Sequence, residues 1–151
     1  MPQVVAEITV EVPVEDLYLL AQQVERFPEF MADLERVEML ERQEGHTRTR
    51  WTARVPEFNR TIQWVEEDEW DGVAHECRFR QTEGDFDRYQ GVWRFLAEGA
   101  GTEARLEIDY DLNVPLVGAL IKGLIQKKMQ QNCDQMLAAL KALAEQEGRG
   151  A

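Results

Sequence analysis

The sequence predicts an α+β domain in which a curved antiparallel sheet of about seven strands is covered by one long C-terminal helix. Three observations carry that expectation. Apolar and polar residues alternate with period two at the N-terminus and again from residue 34 to 112; clusters of turn-forming residues cut the second stretch into about six pieces; and a proline-free run of helix formers closes the chain. At 151 residues the chain suits one core, so residues 1–151 are read as a single domain.

The first strand is the clearest element. Val4, Ala6, Ile8, Val10 and Val12 share one face, while Gln3, Glu7, Thr9 and Glu11 fall mostly on the other. Pro13 stops it, since proline cannot donate to a ladder. Leu17, Leu20 and Val24 then recur at helical spacing, with Glu15 and Asp16 where the helix dipole favours acids. Pro28 predicts a break between two short helices.

The meander that follows is divided at EGH (Gly45), PEFN (Pro56), WDG (Gly72), EGD (Gly84) and EGAGT (Gly99 and Gly101). Thr47, Thr49, Trp51, Ala53 and Val55 share a face opposite Arg48, Arg50 and Arg54; Leu106, Ile108, Tyr110 and Leu112 oppose Arg105, Glu107, Asp109 and Asp111. One face is wet and the other covered. The cover is LVGALIKGLIQKKMQQNCDQMLAALKALAEQE, read as one amphipathic helix about 45 Å long. Its apolar stripe rotates by about a third of a turn between the Leu120–Ile125 set and the Cys133–Leu143 set. A kink near Lys127–Lys128 would explain the rotation, and so would a front half covering something other than the sheet.

Composition excludes several functions. The chain has no serine, so serine nucleophiles and the triads built on them are absent. A net charge of −12 disfavours a nucleic-acid partner. Cys77 and Cys133 are too few for a disulfide framework and lack zinc spacing. No basic-then-apolar leader opens the sequence, and no apolar run approaches the roughly 18 residues of a membrane span. These features predict a cytoplasmic chain with reduced thiols and no stable membrane insertion.

Polar motifs are sparse. His46, expected in a turn, and His75, expected in a strand, have no second ligand at metal spacing, so neither metal nor cofactor is expected. GAGT opens a strand rather than a helix and makes no phosphate cradle. VEEDEWD lacks the calcium-loop pattern and reads as a solvated turn. The arginines of TRTR and RFR are expected to pair with acids on neighbouring strands.

The aromatic residues are more informative. Alternation puts Trp51, Trp64, Phe79, Tyr89, Trp93, Phe95 and Tyr110 on the covered face. Such a load suits either a bulky core or an internal cavity with an apolar wall and a few polar handles. Gly91, between Tyr89 and Trp93, fits sharp sheet curvature or room for a ligand. Lys128 and Asn132 interrupt the helix stripe, and Thr47, Thr49 and Gln81 face the same interior.

Three segments, FPEFMADLERVEMLE, GDFDRYQGVWRF and GTEARLEIDYDLNVPL, together with the order of elements, resemble the START-like, helix-grip proteins of the polyketide cyclase/dehydrase group, close to its coenzyme Q-binding branch. The likeness runs from Val4 to about Glu145. It implies a helix-grip sheet around a hydrophobic tunnel that binds, transports or presents a lipid, isoprenoid quinone or polyketide. The expected wall comprises Met39, Trp51, Trp64, Phe79, Tyr89, Trp93 and Tyr110 from the strands, with Phe30 and Met31 at the mouth. Leu120, Leu124, Met129, Asn132 and Met136 are expected from the helix. The reading leans to a non-catalytic binder, with a transient membrane or protein partner compatible. The alternative is a polyketide cyclase or dehydratase, for which His75, Tyr89, Tyr110 and Lys128 are acid–base candidates although no catalytic motif is matched.

Overall fold

The computed structural model describes residues 3–31, 33–55, 60–112 and 119–149, with the side chains of 119–121 and 148–149 outside the description. The strands are β1 (Gln3–Val10), β2 (Leu34–Gln43), β3 (His46–Val55), β4 (Arg60–Asp71), β5 (Glu76–Gly84), β6 (Arg88–Glu98) and β7 (Gly101–Asp111). The helices are α1 (Val14–Ala21) and α2 (Ala119–Arg149), with a 3-10 segment, Val24–Glu29, between α1 and β2.

All seven strands form one antiparallel sheet in the order β1-β7-β6-β5-β4-β3-β2. The meander read from the turn signals is therefore continuous from β2 to β7, and β1 returns to pair with β7. The alternation sets the faces: Val4, Ala6 and Val10 of β1 are buried, as are Ala104, Leu106, Ile108 and Tyr110 of β7. Arginines face outward and pair with acids across the ladder, as in Arg80–Glu67 at 2.8 Å and Arg105–Glu7 at 3.1 Å. These pairs are exposed and stabilise little; they keep the outer face wet.

Helix α2 runs unbroken, so the rotated stripe does not mark a break. Leu137, Leu140 and Ala144 in its rear half are buried in the core with Leu17 and Phe27, while the front half faces a cavity. The helix lies closest to β1 and α1, and its polar side chains reach the open edge of β1. Gln126 Nε2 donates to Gln3 O at 2.9 Å, Gln130 Nε2 to Val5 O at 2.9 Å, and Lys141 Nζ to Thr9 O at 2.8 Å. An edge strand leaves such carbonyls unpaired, and here the helix covers them while its other flank stands off the central strands.

Two local expectations are corrected. The break between the short helices falls at Gln22–Gln23, and Pro28 lies inside the 3-10 segment, where its fixed φ is tolerated. The histidines exchange settings: His46 begins β3, paired with Gln43 and Glu69, whereas His75 sits in the β4–β5 turn at φ +56°. The expected turn at PEFN lies outside the described residues.

Candidate functional site

Between the sheet and the front of α2 lies a cavity of about 670 Å³, within the range of small-molecule sites. Trp51, Trp64, Phe79, Tyr89 and Trp93 form its strand wall, and Met129, Asn132, Cys133 and Met136 project from the helix. Phe30 and Met31 close one side. The lining reaches solvent at Arg60, Asp85 and Gln135, which are exposed.

The wall is built from interlocking rings. Trp51 and Trp64 are direct cross-strand partners and stack with planes 3° apart and centroids 5.9 Å apart. Tyr89 packs on Trp64 at 5.1 Å, on Phe79 at 5.6 Å and on Phe86 at 4.6 Å. Phe86 is held by Gln81, whose Nε2 donates to Phe86 O at 2.8 Å and whose Oε1 accepts the Phe86 N–H at 3.3 Å. Gly91 pairs with Phe79 across β5 and β6, and a Cβ there would stand 2.6 Å from the Phe79 ring and 2.2 Å from Glu107 O. The missing side chain thus admits the Phe79 ring against the strand rather than opening room for a ligand.

Several expected site residues sit elsewhere. Tyr110 is buried, but its hydroxyl donates to Gln126 Oε1 at 2.7 Å and it belongs to the clasp between sheet and helix, not to the cavity lining. Met39 packs against the core away from the lining, and Leu124 is 45% exposed on the outer side of α2. The side chain of Leu120 lies outside the described residues. His75 contacts Glu15 at 2.8 Å and the Tyr18 ring, also outside the lining. Lys128 does line the cavity, 3.3 Å from Asp33.

The largest correction concerns VEEDEWD. It is the second half of β4, not a turn, and Glu66 and Asp68 are buried on the same face as Trp64. Thr47 and Thr49 Oγ1 each donate to Asp68 Oδ2 at 2.9 Å. Trp51 Nε1–H donates to Thr49 Oγ1 at 2.8 Å, Trp70 Nε1–H to Thr47 Oγ1 at 3.1 Å, and Trp64 Nε1–H to Glu66 Oε1 at 2.8 Å. Glu66 and Asp68 also bond to each other. The signal was available: with period two, an inward Trp64 carries 66, 68 and 70 inward with it.

The electrostatics follow from burial. Desolvation first, and Asp68 second, push the Glu66 carboxyl well above the usual carboxylate range. Burial also raises Asp68, opposed by hydrogen bonds from Glu66, Thr49 and Thr47. The threonine hydroxyls accept from Trp51 and Trp70 and donate to Asp68. These donors favour the charged form of Asp68, while burial and the neighbouring Asp68 favour the protonated form of Glu66. Tyr89 is raised by burial and then by Glu66, and the Cys133 thiol is pushed up to about 12 by burial. Both cysteines are buried free thiols.

A seven-stranded antiparallel sheet gripping a long helix around an apolar cavity is the helix-grip, START-like fold. The chain belongs to the family described as polyketide cyclase / dehydrase and lipid transport, which matches residues 10–137. It is 32% identical over 145 residues to the actinorhodin polyketide synthase bifunctional cyclase/dehydratase of Streptomyces coelicolor, covering 95% of this chain and 44% of that protein. The chain thus spans less than half the length of that relative. Among solved structures it is similar to TTHA0849 from Thermus thermophilus, with TM-score 0.91, 38% identity and coverage of 97% and 99% of the two chains. The ZhuI aromatase/cyclase of Streptomyces sp. R1128 shares the fold at TM-score 0.86 and 20% identity, covering 95% and 93%. Among the described residues no helix is long and apolar enough to cross a membrane.

Proposed function

We propose that this chain binds a hydrophobic small molecule of polyketide, quinone or lipid class in the cavity between the sheet and α2. The supporting observation is the cavity itself: about 670 Å³ walled by rings and methionines where a close-packed core would leave no such space. Removing roughly 300 Å² of apolar ligand surface from water contributes about 7 kcal/mol before the cost of association. Met129 and Met136 suit a wall that adapts to its contents. Native mass spectrometry of the purified protein tests the reading. Co-purification of one apolar molecule per chain supports it, and a chain that arrives empty and takes up no apolar ligand contradicts it.

A second reading is catalysis of polyketide cyclisation or dehydration in the same cavity. Two observations favour it: the likeness to a bifunctional cyclase/dehydratase and the buried carboxyl of Glu66 in the cavity wall. A carboxyl with a raised pKa in a water-poor site is suited to proton transfer near neutral pH. Turnover of a poly-β-ketone mimic that is lost in Glu66→Leu would favour catalysis; binding without turnover would leave the carrier.

A further inference from the structure

The polar atoms of this cavity define which apolar molecule it takes. Glu66 is 4% exposed and lines the cavity. Its Oε1 accepts from Trp64, and its own proton is engaged with Asp68, whose Oδ2 already accepts from Thr47 and Thr49. The carboxyl is left with lone pairs and no donor to offer. A second, independent acceptor stands on the facing helix. Asn132 lines the same cavity; its Oδ1 has no hydrogen-bond partner and is closed off even from the empty cavity, so it meets a ligand once the side-chain amide turns. A buried acceptor without a donor is costly, by about the worth of a hydrogen bond or more, and a bound donor relieves that cost.

We propose that Glu66 and Asn132 together form an acceptor subsite for hydroxyl groups, so that the cavity selects neutral phenols or enols over their ethers and over carboxylates. The inference rests on the binding reading above and narrows its ligand class. A ligand hydroxyl donates to Glu66 from the strand side or to Asn132 Oδ1 from the helix side, while the ligand rings lie against Trp51, Trp64 and Tyr89. An ether fills the same space but brings no donor. A carboxylate brings a charge next to an acidic pair and must be desolvated, and Lys128, the cation in the lining, already pairs with Asp33. Fatty-acid anions are thus poor ligands despite the apolar wall.

Calorimetric titration with 1,8-dihydroxyanthracene, 1,8-dimethoxyanthracene and anthracene-2-carboxylate tests the proposal. The dihydroxy compound is expected to bind at least about tenfold more tightly than either of the others, the worth of one well-formed hydrogen bond. Glu66→Leu and Asn132→Leu should each reduce that preference. Glu66→Gln should restore what Glu66→Leu loses, because an amide accepts from Trp64 and donates to Asp68 as the neutral acid does. Equal binding of phenol and ether, a preference that survives Glu66→Leu, or a Glu66→Gln variant without the preference would each overturn the acceptor subsite while leaving the cavity a binding site. No binding by any of the three compounds would overturn the acceptor subsite, whereas the binding reading falls only if no apolar ligand of any class is taken up.

Discussion

The indole N–H of Trp64 donates to Glu66 Oε1 at 2.8 Å, from a residue only two positions earlier on the same face of β4. One strand therefore supplies both an aromatic plate of the cavity wall and the carboxyl that the plate helps to hold. The same pairing recurs on β3, where Trp51 donates to Thr49. The polar network is a property of alternation: each of these two rings on the inner face is followed two residues later, or preceded two residues earlier, by the group it satisfies.

Stability should fall as pH rises through the titration of Glu66. Unfolded, this carboxyl titrates near its ordinary value of 4.5; folded, it titrates well above. Between those values the folded state holds more protons than the unfolded state, so the contribution is complete below the lower value and lost through the higher one. Asp68, also raised, acts in the same sense. Urea midpoints from pH 4.5 to 8 should decline more steeply for the native chain than for Glu66→Gln. Parallel slopes would contradict a proton held on Glu66.

Cys77 and Cys133 should resist alkylation in the folded protein. Both are buried, and the Cys133 thiol is pushed up to about 12, so neither offers thiolate near pH 8. Iodoacetamide is expected to modify both only in urea. Fast modification of Cys77 without denaturant would place it outside the core, and of Cys133 would show that the reagent enters through the cavity that it lines.

Tyr110→Phe should cost about 1 kcal/mol of stability, the net worth of one hydrogen bond. The lost hydroxyl bonds Gln126 in the clasp and Tyr110 is not part of the lining, so affinity for hydroxyanthracene should be unchanged. Thermal melts with calorimetry separate the two effects. A stable variant with weakened binding would return Tyr110 to the site.

Gly91→Ala should destabilise the chain by about 1–3 kcal/mol through overpacking. The added carbon meets backbone at Glu107 O, 2.2 Å away, as well as the Phe79 ring. Chemical denaturation measures this directly, and an unchanged midpoint would mean that β6 and β7 shift without cost.

Most of the sheet was legible because its faces differ in chemistry. Thr47 to Val55 and Leu106 to Leu112 state their register in their own alternation. The helix stripe left two alternatives open, a kink or a front half covering something other than the sheet; α2 is unbroken, with Ile125 and Met129 on the cavity and Leu140 in the core. Glu66 and Asp68 were obscured because five acids in six residues resemble a solvated loop, and only the phase set by Trp64 places two of them inside. Tyr110 shows another limit. Alternation gives the face a side chain takes, but whether that side chain meets a cavity or a clasp depends on Gln126, which belongs to another element. His75 was misplaced because the β4–β5 turn runs on past Gly72 to His75, which ends it at positive φ, a conformation that histidine takes more readily than most side chains.

The central claim is that the space between the sheet and α2 is a ligand site, and filling that space tests it most directly. Met129 lines the cavity and packs against the core, so Met129→Trp should take up part of the volume and narrow the site. Calorimetry with 1,8-dihydroxyanthracene should show saturable binding of one molecule per native chain and at least about tenfold weaker binding to Met129→Trp at unchanged fold. Equal binding by the two proteins, or no saturable binding by the native chain, would contradict the account.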